Sequence, residues 1–444
     1  MKFDRMRELL LDQAIQGKLV PQLDSEPTVE QIGAAPKEVP FEIPEKWKWV
    51  VLKNVGSVIS GGTPKTSEPS YWGDDIAWVT PADLGKNNAK TISCGARSIS
   101  FDGLSNSSAK KIPAGSVIYS SRAPIGHIAI ANNEITTNQG CKSLAPNFEL
   151  ITTDWAYYSL IARTKDIQHR ATGTTFKEIS GTGFGATQIP LPPLEEQQRI
   201  VAKLEKAFYE IERAEQAYNE LQELKDKLKS KILQKAMEGK LVPQLNGEPA
   251  VEQIGAAPKE VPFEIPAKWK WVNFDNLLKI ISGTSYSKND IVDSSNDTAV
   301  RIMRGGNLRK GIVSTLNDDV FVNSGLHDLN KEVQNTDIVV VASTGSQTVI
   351  GRAAVYSGYE SIQIGAFLRI LRPKNKDFFP YLKYIFFSNY YINHIRASAK
   401  GSNIKNLKQQ YFSELYIPLP PLEEQKRIVA KIEALFEQID RMQG

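Results

Sequence analysis

Cysteine is almost absent. Cys94 and Cys141 are the only two in 444 residues, too few for a disulfide framework and too far apart for a local metal pair. Both are read as reduced packing residues. The four histidines, His127, His169, His327 and His394, stand apart from cysteine and from one another, whereas zinc ligands recur at close spacings. No metal site is expected. No apolar run approaches the roughly 18 residues of a membrane span. The amino terminus, MKFDRMRELL, puts charges where an export signal needs an unbroken apolar stretch, so a cytoplasmic location is expected. Phosphate-binding loops are missing too. Gly61-Gly62-Thr63-Pro64-Lys65-Thr66 lacks the spacing that lets backbone amides cradle a phosphate, and Gly181-Thr182-Gly183-Phe184-Gly185 does not open a helix after a strand. Glu223-Leu224-Lys225 imitates the end of a nuclease signature but lies in a helical heptad, with no acidic strand before it. No catalytic residue, metal ligand or bound cofactor is assigned.

What is present is globular composition, 41% hydrophobic and 23% charged, in a length that suits two large domains. The net charge of +4 is unevenly spread. Residues 50–187 hold 13 Lys and Arg against 10 Asp and Glu, residues 272–415 hold 17 against 12, and the remainder holds 24 against 28. The basic surplus sits in two segments. It is modest, and alone it only permits a nucleic-acid partner.

Internal repetition decides the organisation. Gly17 to Val50 returns as Gly239 to Val272 with four differences in 34 positions. IPLPPLEEQQRIVAKLEKAFYEIER, from Ile189, returns from Ile417 with 18 of 25 positions identical. The stretches between are much less alike. Near-identical frames hold dissimilar inserts, which duplication for stability alone does not explain.

After IPLPP, which cannot continue a helix, Glu195 and Glu196 stand where a helix amino terminus favours negative charge. Apolar positions Ile200, Leu204, Ile211, Tyr218 and Leu221 lie on a heptad seam, and Leu228 continues it after a register shift. The second copy repeats the seam with Ile428, Ile432, Leu435 and Ile439. These ten residues are expected to pack against a partner helix. At the amino terminus, Phe3, Met6, Leu10 and Ala14 resemble the latter half of the central helix, so the first and last helices read as two halves of a second ruler. A helix from Glu195 to Glu238 would span roughly 66 Å, twice the ~34 Å that separates typical half-sites on DNA. The expected organisation is a helix over 1–16, a domain over 17–188, a spacer helix over 189–240, a second domain over 241–416 and a distal helix over 417–444. The fold class is α+β: two mixed domains separated by long antiparallel coiled-coil-like helices in a pseudo-two-fold repeat.

Each insert follows a Trp-x-Trp, Trp47 and Trp49 or Trp269 and Trp271, read as core anchors. Turns bearing basic, hydroxyl and amide groups are the candidate reading edges, because such groups bond phosphates and base edges. In the first domain they are Thr63, Lys65, Thr66, Arg122, Arg170, Thr172, Thr174 and Lys177. In the second they are Tyr286, Lys288, Arg304, Asn307, Ser343, Thr344, Gln347, Arg352, Arg396, Lys400, Asn403 and Lys405.

With LPPLEEQ-x-RIV twice and GKLVPQ twice, the chain resembles the specificity subunit of type I restriction-modification systems over essentially its whole length. The resemblance implies two target recognition domains, each reading half of a split site in double-stranded DNA, and helices that set the unread spacer. It also implies two methyltransferase subunits bound to the helices, with restriction subunits recruited through them. S-adenosylmethionine, ATP and Mg would belong to those partners, none to this chain. The matching frames suggest that recognition domains are exchanged by recombination. Two alternatives are a protein-binding scaffold and a methyltransferase or nuclease with its own target domain; the latter needs a catalytic motif that is absent.

Overall fold

In the computed structural model the chain divides into two compact units, Met1–Ala217 and Tyr218–Gly444. The structure describes residues 2–36, 38–173, 177–294, 298–358, 360–398 and 405–442. The division falls inside one long helix, so each unit owns part of it.

In the first unit helix α1 (Lys2–Ile15) ends at Gly17, whose φ of +70° is a left-handed conformation that glycine adopts without penalty. A Cβ there would lie 2.3 Å from Pro44 Cγ. The chain therefore turns back under the helix and runs to the strand Lys48–Val51. That strand pairs antiparallel with Gln188–Leu191, Trp49 opposite Pro190. The ends of the first insert are thus hydrogen-bonded to each other. Between them lies a five-stranded sheet in the order Gly56–Ser60, Cys141–Pro146, Val117–Ser120, Ile128–Ala131, Thr91–Ile92. A three-stranded sheet sets Trp72–Val79 between Arg97–Ile99 and Thr136–Thr137. Helix α2 (Thr153–Arg170), capped by the Thr152 hydroxyl, brings Trp155 against Trp47 at 5.6 Å between ring centres. The Trp155 indole donates to the Pro190 carbonyl at 2.9 Å, so the core is tied to the closing ribbon.

The second unit repeats this plan with other side chains. Gly239 takes φ +66° with Pro266 in the place of Pro44. Lys270–Asn273 pairs with Tyr416–Leu419, Trp271 opposite Pro418. The Tyr381 hydroxyl, rather than an indole, donates to the Pro418 carbonyl at 2.8 Å. A six-stranded sheet runs Leu278–Ser282, Leu368–Pro373, Ile338–Val341, Ala353–Val355, Ile312–Val313, Leu308–Arg309, beside a three-stranded sheet of Val320–Val322, Val300–Met303 and Ile362–Ile364. All four tryptophans of the Trp-x-Trp pairs are buried, as expected. Cys141 is buried as well, which pushes its thiol up to about 12, whereas Cys94 is exposed and is not the packing residue anticipated.

Helix α3 (Leu194–Met237) runs unbroken for 44 residues. Arg7 of α1 meets Glu215 at 2.6 Å. In the second unit Lys229 meets Asp440 at 2.6 Å and Lys225 donates to the Met442 carbonyl, so helix α4 (Leu422–Arg441) runs antiparallel to α3. The expected seam holds only in part. Ile200, Leu204, Ile211, Ile428, Ile432 and Ile439 are buried, and Leu221 and Leu435 are half-buried. Tyr218 and Leu228, however, are 48% and 42% exposed. Periodicity carries the stripe on to Leu228, but the contacts that Lys225 and Lys229 make with α4 leave that side chain at the flank of the helix pair.

The two repeated segments meet in each unit. Arg199, from LEEQQR, grips Glu26 of the lead-in with both Nη2 contacts at 2.7 and 2.8 Å, and the Glu26 side chain is buried. Arg427 holds Glu248 in the same way. Lys46 Nζ donates to the carbonyls of Leu23, Asp24 and Glu26, and Lys268 does the same to Leu245, Asn246 and Glu248. Gln197 accepts from the Thr152 amide at 2.8 Å and donates to the carbonyls of Leu150 and Pro192. Burial raises the pKa of the Glu196 carboxyl. Removing one partner of a buried pair leaves the other charge without compensation. Arg199→Ala is therefore predicted to destabilise the first unit by about 3 kcal/mol, near the low end because Arg199 itself is partly solvated. Amide exchange should accelerate around Glu26 and stay unchanged around Glu248; equal acceleration at both would refute the local pairing.

Candidate nucleic-acid interface

Matching backbone hydrogen bonds align the two inserts position by position. Gly62 N donates to Thr137 O at 2.9 Å, as Thr284 N does to Ile364 O at 2.7 Å. Asn138 N donates to Val79 O at 3.0 Å, as Gly365 N does to Met303 O at 2.8 Å. The next residues, Thr80 and Arg304, each open a turn whose third following side chain returns to the amide: Asp83 at 2.8 Å and Asn307 at 2.7 Å. The same edge of each domain is thus built on one backbone plan, with different side chains projecting from it.

In the first domain this edge gathers several of the expected residues. The Thr63 hydroxyl donates to Gln139 Oε1. Arg122 lies 3.6 Å from Glu178, which also meets Lys142 at 3.5 Å and pairs through its backbone with Thr172. Lys65, Thr66, Thr172 and Lys177 are exposed. Arg170 is spent elsewhere: its guanidinium bonds Asp166 at 2.9 Å, the Gly183 carbonyl at 2.9 Å and Thr187 at 2.8 Å, stapling α2 to the closing ribbon. Thr174 lies outside the described residues. Gln139, Lys142 and Glu178 were missed from sequence because they become neighbours of Thr63 and Arg122 only through the sheet.

In the second domain the candidates fall into three groups. Tyr286 and Arg304 line a recess of about 520 Å³ together with Thr284 and Phe367. Arg352 and Arg396 line a cleft of about 610 Å³ with Lys229, Lys310 and Lys383. Lys229 and Lys383 there pair with Asp440 and Glu433, while Arg352 and Arg396 bond the carbonyls of Leu308 and Thr348 and, among the described residues, pair with no carboxylate. Ser343 and Thr344 form a short antiparallel ribbon with Lys405 and Asn406. Lys288 and Gln347 are exposed. Lys400 and Asn403 lie outside the described residues, and only the backbone of Lys405 is described. Asn307 is 1% exposed and bonds Ser314, Asp319 and the Arg304 amide, so it shapes the turn instead of facing a ligand. Among the described residues no group of three or more His, Cys, Asp or Glu could hold a metal ion, and no helix is long and apolar enough to cross a membrane.

Two divergent surfaces on matching scaffolds define a binding protein of duplicated recognition modules. The family model described as type I restriction modification DNA specificity domain matches residues 44–223 and again 266–444. The chain belongs to that family: it carries two target recognition domains of a type I restriction-modification specificity subunit. It is 29% identical over 406 residues to the type I restriction enzyme MjaIX specificity subunit of Methanocaldococcus jannaschii, covering 90% of this chain and 88% of that one. It is 31% identical over 177 residues to the EcoKI specificity subunit of Escherichia coli, covering 40% and 38%. The fold is similar to that of the HsdS subunit from Thermoanaerobacter tengcongensis, with a TM-score of 0.51 at 21% identity over 91% of this chain and 93% of that one. A chain from a structure of type I R-M complex assembly and conformational transition gives a TM-score of 0.63 at 22% identity, covering 90% and 93%.

Each phosphate contact contributes about one unit to the salt dependence of DNA binding. Arg352→Ala should lower the slope of log affinity against log salt by about 1 without changing sequence preference. Arg170→Ala should leave the slope unchanged and lower the melting temperature; a reduced slope would restore Arg170 to the interface.

Proposed function

We propose that this chain is a non-catalytic reader. Its two domains each recognise one half of a bipartite sequence in duplex DNA, and its helices set the unread spacer and bind two methyltransferase subunits, through which restriction subunits are recruited. The observation that carries this reading is the pairing of near-identical frames with divergent edges. A repeated frame offers one partner chemistry twice, while two unlike edges offer two sequence preferences. S-adenosylmethionine, ATP and Mg belong to the partners in this reading, and the chain itself binds none of them.

The DNA-facing residues proposed are those that remain projected from the described edges. In the first domain they are Thr63, Lys65, Thr66, Arg122, Thr172 and Lys177; in the second they are Tyr286, Lys288, Arg304, Ser343, Thr344, Gln347, Arg352 and Arg396. Large apolar side chains left exposed on the helices, among them Met6, Leu9, Tyr209 and Leu228, suit a protein partner better than water.

The test is methyl transfer from labelled S-adenosylmethionine to duplex DNA. The chain reconstituted with its methyltransferase should modify adenines at a split sequence, and the chain alone should incorporate nothing. Incorporation by the chain alone would overturn the non-catalytic reading, and salt-insensitive, sequence-independent binding by the complex would favour a scaffold.

A further inference from the structure

The second domain carries a recess lined by Thr284, Tyr286, Arg304 and Phe367. Its floor holds Thr284, 3% exposed, whose hydroxyl has no hydrogen-bond partner among the described residues. Arg304 contributes a buried Nε that is likewise unpartnered, while its Nη2 is anchored on the Asp318 carbonyl at 2.6 Å. Tyr286 forms part of the wall, and Phe367, 69% exposed, stands at the rim. At the equivalent positions of the first domain Thr284 becomes Gly62 and Phe367 becomes Gly140. A Cβ on Gly62 would meet the backbone of Ser108 and Ala109 at 2.3 Å, and one on Gly140 would meet Pro81 and Arg122 at 3.0 and 3.1 Å. There the space is filled.

Groove edges of a duplex are read by side chains that protrude into them. A recess works the other way, for only something that projects from the DNA can fill it. Aromatic walls accept a planar ring by stacking, and unsatisfied polar groups at the floor accept the hydrogen-bonding edge of that ring. We infer that the recess bounded by Thr284, Tyr286, Arg304 and Phe367 receives a single nucleobase turned out of the target duplex, in the half-site read by the second domain only. This inference rests on the chain being a DNA reader. Phe367 supplies a stacking face, and Thr284 and Arg304 supply polar contacts to the base edge.

The experiment uses the full complex of this chain with its methyltransferase, and target duplexes carrying a mismatch at each position in turn. Unpairing costs less at a mismatch, so an extruded base binds more tightly there, whereas a mismatch at a base read in the groove weakens binding. One position in the second half-site should bind about tenfold tighter when mismatched. The gain should vanish in Phe367→Ala and shrink in Thr284→Val, which keeps the shape and removes the hydroxyl. A base extruded by the methyltransferase also gives a gain, and that one should persist in both variants. Affinity for mismatches in the first half-site serves as the internal control for folding. No Phe367-dependent gain at any position of the second half-site overturns the inference while leaving the reader function intact. Loss of all sequence dependence in the unmodified complex overturns the reader function itself.

Discussion

The contact on which the rest depends joins the two repeated segments: a glutamate of the lead-in held by an arginine at the head of the helix, the buried Glu26 with Arg199 and the half-buried Glu248 with Arg427. Alone, a buried carboxylate would be costly, and a bidentate guanidinium returns most of that cost only in a fixed geometry. Lys46 and Lys268 hold that geometry by tying three lead-in carbonyls each. The consequence is topological. Both ends of a long insert are fastened to one helix start, and the ribbon that opens and closes the insert is held there by repeated residues as well as by a few contacts from the insert.

That separation lets side chains on the outer edge change while attachment does not. Trp155 and Tyr381 show the tolerance: an indole N–H and a phenol O–H reach the same carbonyl of the closing ribbon, at Pro190 and Pro418. Tyr158 with Glu205 and Tyr384 with Glu433 make a second repeated clasp, from each insert onto α3 or α4. Burial raises the pKa of both phenols, which keeps them protonated as donors to those carboxylates. Attachment is therefore achieved with a few polar contacts at defined places, and the sheets beyond carry the divergence.

The frames were legible in the sequence because they are written twice; their mutual contact was not, since nothing local says that Glu26 meets Arg199 173 positions away. Heptad spacing identified α3 correctly, yet periodicity reports a face and not its cover, so Tyr218 and Leu228 were assigned to a seam that leaves them exposed. Arg170 and Asn307 show the same ambiguity for polar groups. The chemistry that suits a phosphate also suits a carboxylate or a turn amide, and only the fold decides which is nearer. Phe367 escaped notice for the opposite reason: an aromatic between apolar strand residues reads as core, while the turn after Gly365 sends it outward, 69% exposed.

The modest basic surplus acquires a meaning from these placements. Much of the positive charge in the inserts is paired or bonded internally, as with Arg170, Lys142, Arg372 and Lys383. Lys65, Lys177, Lys288, Arg352 and Arg396, by contrast, meet no carboxylate among the described residues, so both inserts keep cations of the kind that bond phosphates.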